Sequence, residues 1–207
     1  MDLKKLLEVM EDEARKRGAP VFRYGERDPF KILIAAILST RTRDEVTVEV
    51  VERLFEKVNR PEDFIGMEVE EIEKIIRGVG FYRVKARKIK ELALKLVKDY
   101  NSKIPENFDE LIKLPGVGRK VANVFLNSLG YDAIAVDTHV HRIANRIGLV
   151  STKDPEKTEE ELKKIFPKDL WKKINKVFVG FGQTVCRSKP LCRECPISKE
   201  CKSSTLA

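Results

Sequence analysis

A lysine follows two closely spaced glycines in the segment LPGVGRKVANV, residues 114–124. Gly116 and Gly118 permit a tight turn with exposed backbone N–H groups, and a helical pattern begins directly after it. Consecutive N–H groups at the start of a helix form an anion site that suits a phosphate. The segment could also be a plain helix-helix connection capped by glycine. The helix dipole disfavours cations in the first turn, so the presence of Arg119 and Lys120 there favours the interpretation that a phosphate binds nearby.

Lys120 could also act as a nucleophile. An amine near a helix N-terminus and beside Arg119 is expected to have a lowered pKa, and a neutral amine can form a Schiff base. The alternative is a solvated surface lysine, so a chemical partner is needed.

That partner could be Asp137, in the segment AVDTHVHRIANRIG. A helix from Lys120 to about residue 129 carries the chain roughly 14 Å away, and residues 130–136 can span at least about 20 Å on the return. Asp137 can equally be the N-cap of the helix that follows it, because Asp is a strong helix-start signal. The two roles are compatible at one position.

All four cysteines lie in the segment CRSKPLCRECPISKEC, with the spacing C-x5-C-x2-C-x5-C: Cys186, Cys192, Cys195 and Cys201. Two disulfides in so short a loop are disfavoured in a reducing compartment, so thiolate ligation of a metal centre is the stronger interpretation. Zinc bound by four cysteines usually uses two CxxC knuckles, whereas an iron-sulfur cluster accepts uneven spacing. The spacing therefore favours a [4Fe-4S] cluster and leaves zinc open.

Basic residues separate the cysteines, among them Arg187, Lys189 and Arg193. A metal centre here could be structural or could carry electrons, and the surrounding cations could contact a phosphate backbone. These cations fit a nucleic-acid role better than docking to a redox partner.

The elements that must position these residues are helical. Apolar residues recur every three or four positions, for example at Leu3, Leu6, Leu7, Met10 and Ala14, and no segment alternates like a half-buried strand. Loop signals such as NRPEDF and STKDPEK separate the helical stretches. The pattern predicts an all-α protein of roughly ten helices.

The composition limits the class of protein. Hydrophobic residues make up 42% of the 207 residues and charged residues 36%, which is typical of a folded, soluble protein. The longest apolar run, ILIAAIL, is too short to span a bilayer, and the acidic N-terminus does not resemble a secretory signal. We expect an intracellular protein, cytoplasmic or nucleoid-associated, without a targeting signal.

The net charge of +8, with a pI near 9.3, favours a polyanionic partner such as nucleic acid. A soluble basic protein without such a partner is the alternative on charge alone.

Four segments in this order, LPGVGRKVANV, AVDTHVHRIANR, VGFGQTVC and the four-cysteine loop, closely resemble the endonuclease III family of helix-hairpin-helix DNA glycosylases. The resemblance runs from residue 28 to Cys201. It implies that Lys120 attacks the sugar, that Asp137 assists it, that Gly116 and Gly118 belong to a phosphate-holding hairpin, and that the four cysteines bind a [4Fe-4S] cluster.

The same resemblance implies two helical lobes with damaged double-stranded DNA in the cleft between them. Residues 26–131 would form a six-helix barrel lobe with the hairpin, and residues 1–25 plus 132–207 the iron-sulfur lobe. The implied activity is that of a bifunctional DNA glycosylase and abasic-site lyase that removes oxidised pyrimidines. We expect such a protein to act as a monomer, with no membrane association.

The resemblance implies that the hairpin contacts DNA through the backbone at Val117 and the side chain of Arg119. Arg41 and Val79 are expected on two loops that invade the duplex. Bacterial and eukaryotic members of the family usually have Gln where this chain has Arg41. Family members also usually place six residues between the first two cysteines, where this chain has five. The opposite-base preference and the shape of the cysteine loop could therefore differ from those of relatives.

Three other interpretations compete with this one. A glycosylase for G·T mismatches fits the same motifs. A non-catalytic DNA-binding module with a structural metal fits the hairpin and the basic loop but leaves the pair Lys120 and Asp137 without a role. A small electron-transfer protein leaves the hairpin unexplained.

Overall fold

The computed structural model of the chain describes residues 2–22 and 27–205, and its regular structure there is helical. These residues form ten α-helices: α1 Leu3–Lys16, α2 Pro29–Ser39, α3 Asp44–Phe55, α4 Val69–Ile75, α5 Tyr82–Tyr100, α6 Phe108–Leu111, α7 Arg119–Ser128, α8 Thr138–Ile147, α9 Pro155–Ile165 and α10 Lys168–Thr184. Within the described ranges there is no β-strand, only an isolated bridge between Arg77 and Val79. The prediction of an all-α fold is confirmed.

Several of these helices begin where the sequence provides an aspartate. Asp2, Asp28, Asp137 and Asp154 each accept a backbone N–H of the first turn of the helix that follows. Such caps stabilise a helix by about 1 kcal/mol, so they fix the starting residue. None of the helices in the described part of the chain is long and apolar enough to cross a membrane.

The chain divides into two compact units. Unit 1 comprises Met1–Gly25 and Gly130–Ala207, and unit 2 comprises Glu26–Leu129. The predicted boundary after residue 131 lies two residues beyond the end of unit 2 at Leu129. The other predicted boundary, between residues 25 and 26, lies outside the described residues.

Unit 2 carries α2 to α7 and is built around α2. Every residue of α2 from Ile32 to Leu38 is buried, and α2 packs against α3, α5 and α7. Because α2 is enclosed on several sides, its last residue, Ser39, and the loop after it are held in a fixed place.

Unit 1 joins α1 to α8, α9 and α10. Its core includes Leu7 and Met10 of α1, Ile143 of α8 and Phe178 of α10. Three of the four cysteines, Cys186, Cys195 and Cys201, pack against the same core. The cysteine loop is therefore part of the folded body of unit 1.

Candidate active site

The glycine hairpin connects the single-turn helix α6 to α7. Gly116 has φ +79°, a left-handed conformation, and a Cβ there would lie 3.3 Å from Cβ of Lys88. Gly118 is the N-cap of α7, provides no side-chain cap and has no atom within 4 Å of the place where a Cβ would be. Gly116 is thus required by the turn, whereas Gly118 leaves the N-terminus of α7 open to approach.

The side chains on either side of Gly118 are differently placed. Val117 is only 5% exposed, so this residue belongs to the core. The Arg119 guanidinium lies 5.1 Å from the ring centre of Phe108 on α6. This cation–π contact ties the start of α7 back to α6.

Lys120, the second residue of α7, is half-buried and reaches α2. Its Nζ donates a hydrogen bond to Ser39 Oγ at 3.1 Å, and Ser39 Oγ donates to the carbonyl of Ala36 at 2.9 Å. The amine of Lys120 therefore lies at the C-terminal end of α2, where the helix dipole favours positive charge.

A second amine, that of Lys85 on α5, lies against the same end of α2. Lys85 is 7% exposed, and its Nζ donates to the carbonyls of Leu38 and Thr40 at 2.7 and 2.6 Å and to Thr42 Oγ1 at 3.1 Å. Burial, followed by repulsion from Lys120, lowers the pKa of Lys85 to about 8.

Arg41 lies in the loop between α2 and α3, which packs closely on the loop before α5. The N–H of Gly80 donates to Thr42 Oγ1 at 3.0 Å, and a Cβ on Gly80 would lie 2.2 Å from the Arg41 carbonyl oxygen, so only glycine fits there. Arg41 and Phe81 both have left-handed φ values, +51° and +57°. Such conformations are strained for these residue types and persist only where the surroundings enforce them.

The two loops present a pair of side chains at the surface. The Arg41 guanidinium lies 5.4 Å from the ring centre of Phe81, and Phe81 is 61% exposed. Val79, predicted to act in this loop, is only 3% exposed. The loop therefore offers the Phe81 ring, and not the Val79 side chain, to a ligand.

Asp137 is the N-cap of α8. Its Oδ1 accepts the N–H groups of His139 and Val140, each at 2.9 Å, and its Oδ2 lies 3.3 Å from His139 Nδ1. Its side chain is 20% exposed. The carboxylate is oriented by these contacts and still accessible to solvent.

The four cysteines line one pocket of unit 1. None of them is in a disulfide, and the remaining wall is largely apolar, with Phe181, Leu191 and Ile197. Four sulfur donors without hard oxygen ligands fit iron-sulfur or zinc chemistry and do not fit magnesium or calcium. No group of three His, Cys, Asp or Glu side chains in ranges 2–22 and 27–205 is arranged as ligands of a single metal ion.

Hydrogen bonds fix the cysteine loop to α8. Arg146 donates from Nη1 to Cys186 Sγ at 3.6 Å and to the Arg187 carbonyl at 2.6 Å, and from Nη2 to the Ser188 carbonyl at 2.9 Å. Cys201 Sγ in turn donates to the Arg146 carbonyl at 3.4 Å. Arg146 thus contacts both ends of the cysteine segment.

The thiols differ in acidity because their surroundings differ. The backbone N–H and the hydroxyl of Thr205 lower the pKa of Cys192, whereas burial raises the pKa values of Cys195 and Cys201. The basic residues Arg187, Lys189 and Arg193 are all exposed on this loop.

Sequence reasoning did not identify Ser39, Lys85, Phe81 or Arg146. For Lys85 a signal was present: it occupies a position on the buried stripe of α5 that continues through Ile89, Leu92 and Leu96. A lysine on an apolar stripe is unusual enough to mark a buried cation.

The sequence matches the family model described as HhH-GPD superfamily base excision DNA repair protein over residues 34–168. Endonuclease III of Thermotoga maritima is 48% identical over 164 residues, which cover 78% of this chain and 76% of that protein.

Solved structures match over nearly the whole chain. A non-covalent endonuclease III–DNA complex superposes with a TM-score of 0.88 at 38% identity, covering 98% of this chain and 94% of that one. A trapped endonuclease III–DNA covalent intermediate, an estranged-adenine complex, gives a TM-score of 0.86 at 38% identity, covering 99% and 98%.

Proposed function

Because the chain belongs to the endonuclease III family of base excision repair DNA glycosylases, we propose that it is bifunctional, a DNA glycosylase and an abasic-site lyase. Its substrates are oxidised pyrimidines in duplex DNA. The observation that carries this proposal is the amine of Lys120, held half-buried by Ser39 beside a second amine.

Binding of the DNA backbone is assigned to the hairpin. The N-terminus of α7 has no capping side chain and no acid in its first turn, so its N–H groups and dipole suit a phosphate. Gly116, Val117 and Gly118 contribute backbone and Arg119 a charge. The exposed cations of the cysteine loop, Arg187, Lys189 and Arg193, supply further phosphate contacts.

The lesion must leave the base stack before chemistry is possible, and the gap it leaves must be filled. We assign this role to Arg41 together with Phe81, since both are exposed and adjacent. Phe81 takes the place given to Val79 by sequence position, because Val79 is buried.

Lys120 then acts as the nucleophile. Its neutral amine attacks C1′ of the flipped nucleotide, so that the N–C1′ bond forms while the bond from C1′ to the base breaks, and the base departs with a proton. The adduct opens to a Schiff base. Loss of a C2′ proton then expels the 3′ phosphate by β-elimination, and water hydrolyses the imine to regenerate Lys120.

Asp137 is proposed as the carboxylate that stabilises positive charge developing on the sugar and helps to move the proton. Its Oδ1 is engaged in capping α8, and its Oδ2 lies 3.3 Å from Nδ1 of His139. A partly exposed, oriented carboxylate suits this role.

The four cysteines are proposed as ligands of a [4Fe-4S] cluster. Such a cluster can take up and release an electron, and when bound it would join the four cysteines of the loop to one another. The surrounding chain contributes Arg146, which orients Cys186, and Thr205, which favours the thiolate of Cys192. Purified protein should contain about four irons per chain and be yellow-brown. Colourless protein with stoichiometric zinc would overturn this assignment.

The activity is tested with three duplexes, containing an oxidised pyrimidine, an abasic site or a G·T mismatch, with borohydride present to trap an imine. We expect a protein–DNA adduct and strand cleavage with the first two. Lys120→Gln should form no adduct while still binding damaged duplex, because the hairpin backbone is unchanged.

The other outcomes discriminate among the alternatives. Excision from the G·T duplex alone would identify a mismatch glycosylase. Binding without base release or adduct would indicate a non-catalytic DNA-binding module. An adduct that persists in Lys120→Gln would show that the nucleophile is another amine. The protein is proposed to act as a monomer, which sedimentation of the protein–DNA complex can check.

A further inference from the structure

Lys85 is a buried cation to which the reaction proposed above assigns no role. Its three hydrogen-bond acceptors are all neutral oxygens. No carboxylate in the described ranges pairs with it, in contrast to Lys88 three residues later, which meets Glu91 at 2.8 Å. Burying an ammonium group without a counter-charge lowers the stability of the fold. The contacts of Lys85 should therefore show what the buried charge does.

Its contacts converge on the residue that holds Lys120. Lys85 binds the carbonyls of Leu38 and Thr40, the residues directly before and after Ser39. Lys120 binds the hydroxyl of Ser39 itself. The two amines, from α5 and α7, therefore lie against the same three residues at the end of α2.

The carbonyls bound by Lys85 need it. Leu38 is fully buried, so its carbonyl has little access to water, and an unpaired buried carbonyl is unfavourable. By bonding Leu38, Thr40 and Thr42 together, Lys85 fixes the turn in which α2 ends. The orientation of Ser39, and of the Lys120 amine bonded to it, depends on that turn.

The second effect of Lys85 is electrostatic. The charged group that acts on Lys85 is Lys120, on α7, while the end of α2 and the following loop contribute only neutral oxygens to it. Repulsion between two ammonium groups is mutual, so the charge on Lys85 favours the neutral form of Lys120. An adjacent cation is one of the established ways of making a lysine nucleophilic at neutral pH.

We propose that Lys85 is a positioning residue for Lys120: it fixes the turn that carries Ser39, and its charge biases Lys120 towards the neutral, nucleophilic amine. This role rests on the proposed function of Lys120 as the nucleophile.

The chain offers a matched control on the same helix. Lys90 also caps backbone carbonyls, those of Phe64, Ile65 and Met67, at 3.0, 2.7 and 2.6 Å. Lys85→Gln and Lys90→Gln each remove one charge and retain an amide that can donate to carbonyls. Of the two lysines, Lys85 lies against the end of α2 and Lys90 does not. Comparing the two variants therefore separates the effect of Lys85 on Lys120 from the general effect of losing a lysine that binds carbonyls.

The first measurement is the pH profile of imine trapping on a single-stranded abasic oligonucleotide, which needs no base flipping. Lys85→Gln should shift the profile to higher pH, with trapping reduced about tenfold at neutral pH for each pH unit of displacement and recovering at alkaline pH. Lys85→Arg retains the charge and should shift it much less. Lys90→Gln should leave it in place. A Lys85→Gln profile that superimposes on the unsubstituted one would overturn the proposal.

The second measurement does not depend on activity or on the folding of a Lys85 variant. With lysine ¹³C-labelled at Cε, the titration of Lys85 is followed by NMR in the unsubstituted protein and in Lys120→Gln. Removal of the Lys120 charge should raise the midpoint of Lys85, because their repulsion is reciprocal. An unchanged midpoint would refute the pairing of the two amines.

The failures are distinguishable. If the Lys85 midpoint rises in Lys120→Gln and yet the unsubstituted protein forms no trapped adduct, the two amines interact but the proposed function fails, and the catalytic role of Lys85 fails with it. If adducts form and the midpoint does not move, the proposed function stands and the role of Lys85 is wrong.

Discussion

At the scale of single residues, the two groups proposed to react each have contacts that can be tested alone. Lys120 donates a hydrogen bond to the hydroxyl of Ser39, and Asp137 accepts two backbone N–H groups of α8. Asp137 therefore has a structural role that is visible in the fold and a chemical role that is proposed. A substitution that retains the first and removes the second can separate them.

Asp137→Asn is that substitution. Its side-chain oxygen can still accept the N–H groups of His139 and Val140, so the free energy of unfolding should change by less than about 1 kcal/mol. The excision rate should nevertheless fall by about a hundredfold or more, because the negative charge is lost. Single-turnover excision and chemical denaturation measure the two quantities. Near-normal turnover would reduce Asp137 to a helix cap.

The buried amine of Lys85 also predicts a pH dependence of stability. Its pKa is about 8 in the folded protein and near 10.5 when exposed, so between these values the unfolded chain binds more protons. The free energy of unfolding should therefore rise with pH from about 8 to 10.5, by at most about 3 kcal/mol. Other lysines and tyrosines titrate nearby, so the measurement is the difference between the unsubstituted protein and Lys85→Gln. A difference independent of pH would contradict the burial of a charge there.

At the scale of elements, the residues proposed to act on DNA lie at helix ends and in the loops beside them. In unit 2 these places are the C-terminus of α2, the N-terminus of α7 and the loop before α5, and in unit 1 the place is the N-terminus of α8. Helix ends carry unpaired backbone groups and partial charge, which makes them suitable places for ions and reactive side chains. The Asp137 side chain caps the N-terminus of α8, whereas Gly118 leaves the N-terminus of α7 without a side-chain cap.

The two hairpin glycines should respond differently to alanine. Gly116→Ala places a side chain at φ +79° and 3.3 Å from Cβ of Lys88, so it should lower stability by about 1–2 kcal/mol. Gly118→Ala meets no atom within 4 Å and should cost less than about 1 kcal/mol. Its methyl group would nevertheless stand where a phosphate is proposed to approach, so DNA affinity should fall. Thermal unfolding measures the stability of the two variants, and DNA titration measures their affinity. An unchanged DNA affinity in Gly118→Ala would show that the phosphate binds elsewhere.

At the scale of the whole molecule, the net charge of +8 implies that DNA affinity depends steeply on salt. Lys189 and Arg193 are exposed on the cysteine loop and are proposed to contact phosphates. Lys189→Ala and Arg193→Ala should each reduce the slope of log affinity against log salt by roughly one, and weaken binding about equally for all sequences. If both slopes equal that of the unsubstituted protein, the DNA does not contact this loop.

Features that depend on a few neighbouring residues could be predicted from the sequence, whereas contacts between residues far apart in the sequence could not. The Asp137 cap, the tight turn at Gly116 and Gly118 and the helical faces follow from residues a few positions apart in the sequence. The bond between Lys120 and Ser39 joins residues 81 positions apart, and that between Lys85 and Leu38 spans 47 positions. No local pattern specifies such pairs.

The choice between Val79 and Phe81 shows the same limit. Position in a motif led to the prediction that Val79 protrudes from this loop, but exposure depends on how the loop packs against the Arg41 loop. Gly80 allows the backbones to approach, and the outcome is a buried Val79 and an outward Phe81.

The division of unit 1 into two chain segments has a consequence for how the protein is made. The buried face of α1, including Leu7 and Met10, packs on α10, which begins only at Lys168. A ribosome adding about 5–20 residues per second needs on the order of 10 s to synthesise the stretch between them. The nascent chain therefore emerges with an amphipathic helix whose apolar face has no partner until α10 is made. The continuous segment Glu26–Leu129 can close its own core first.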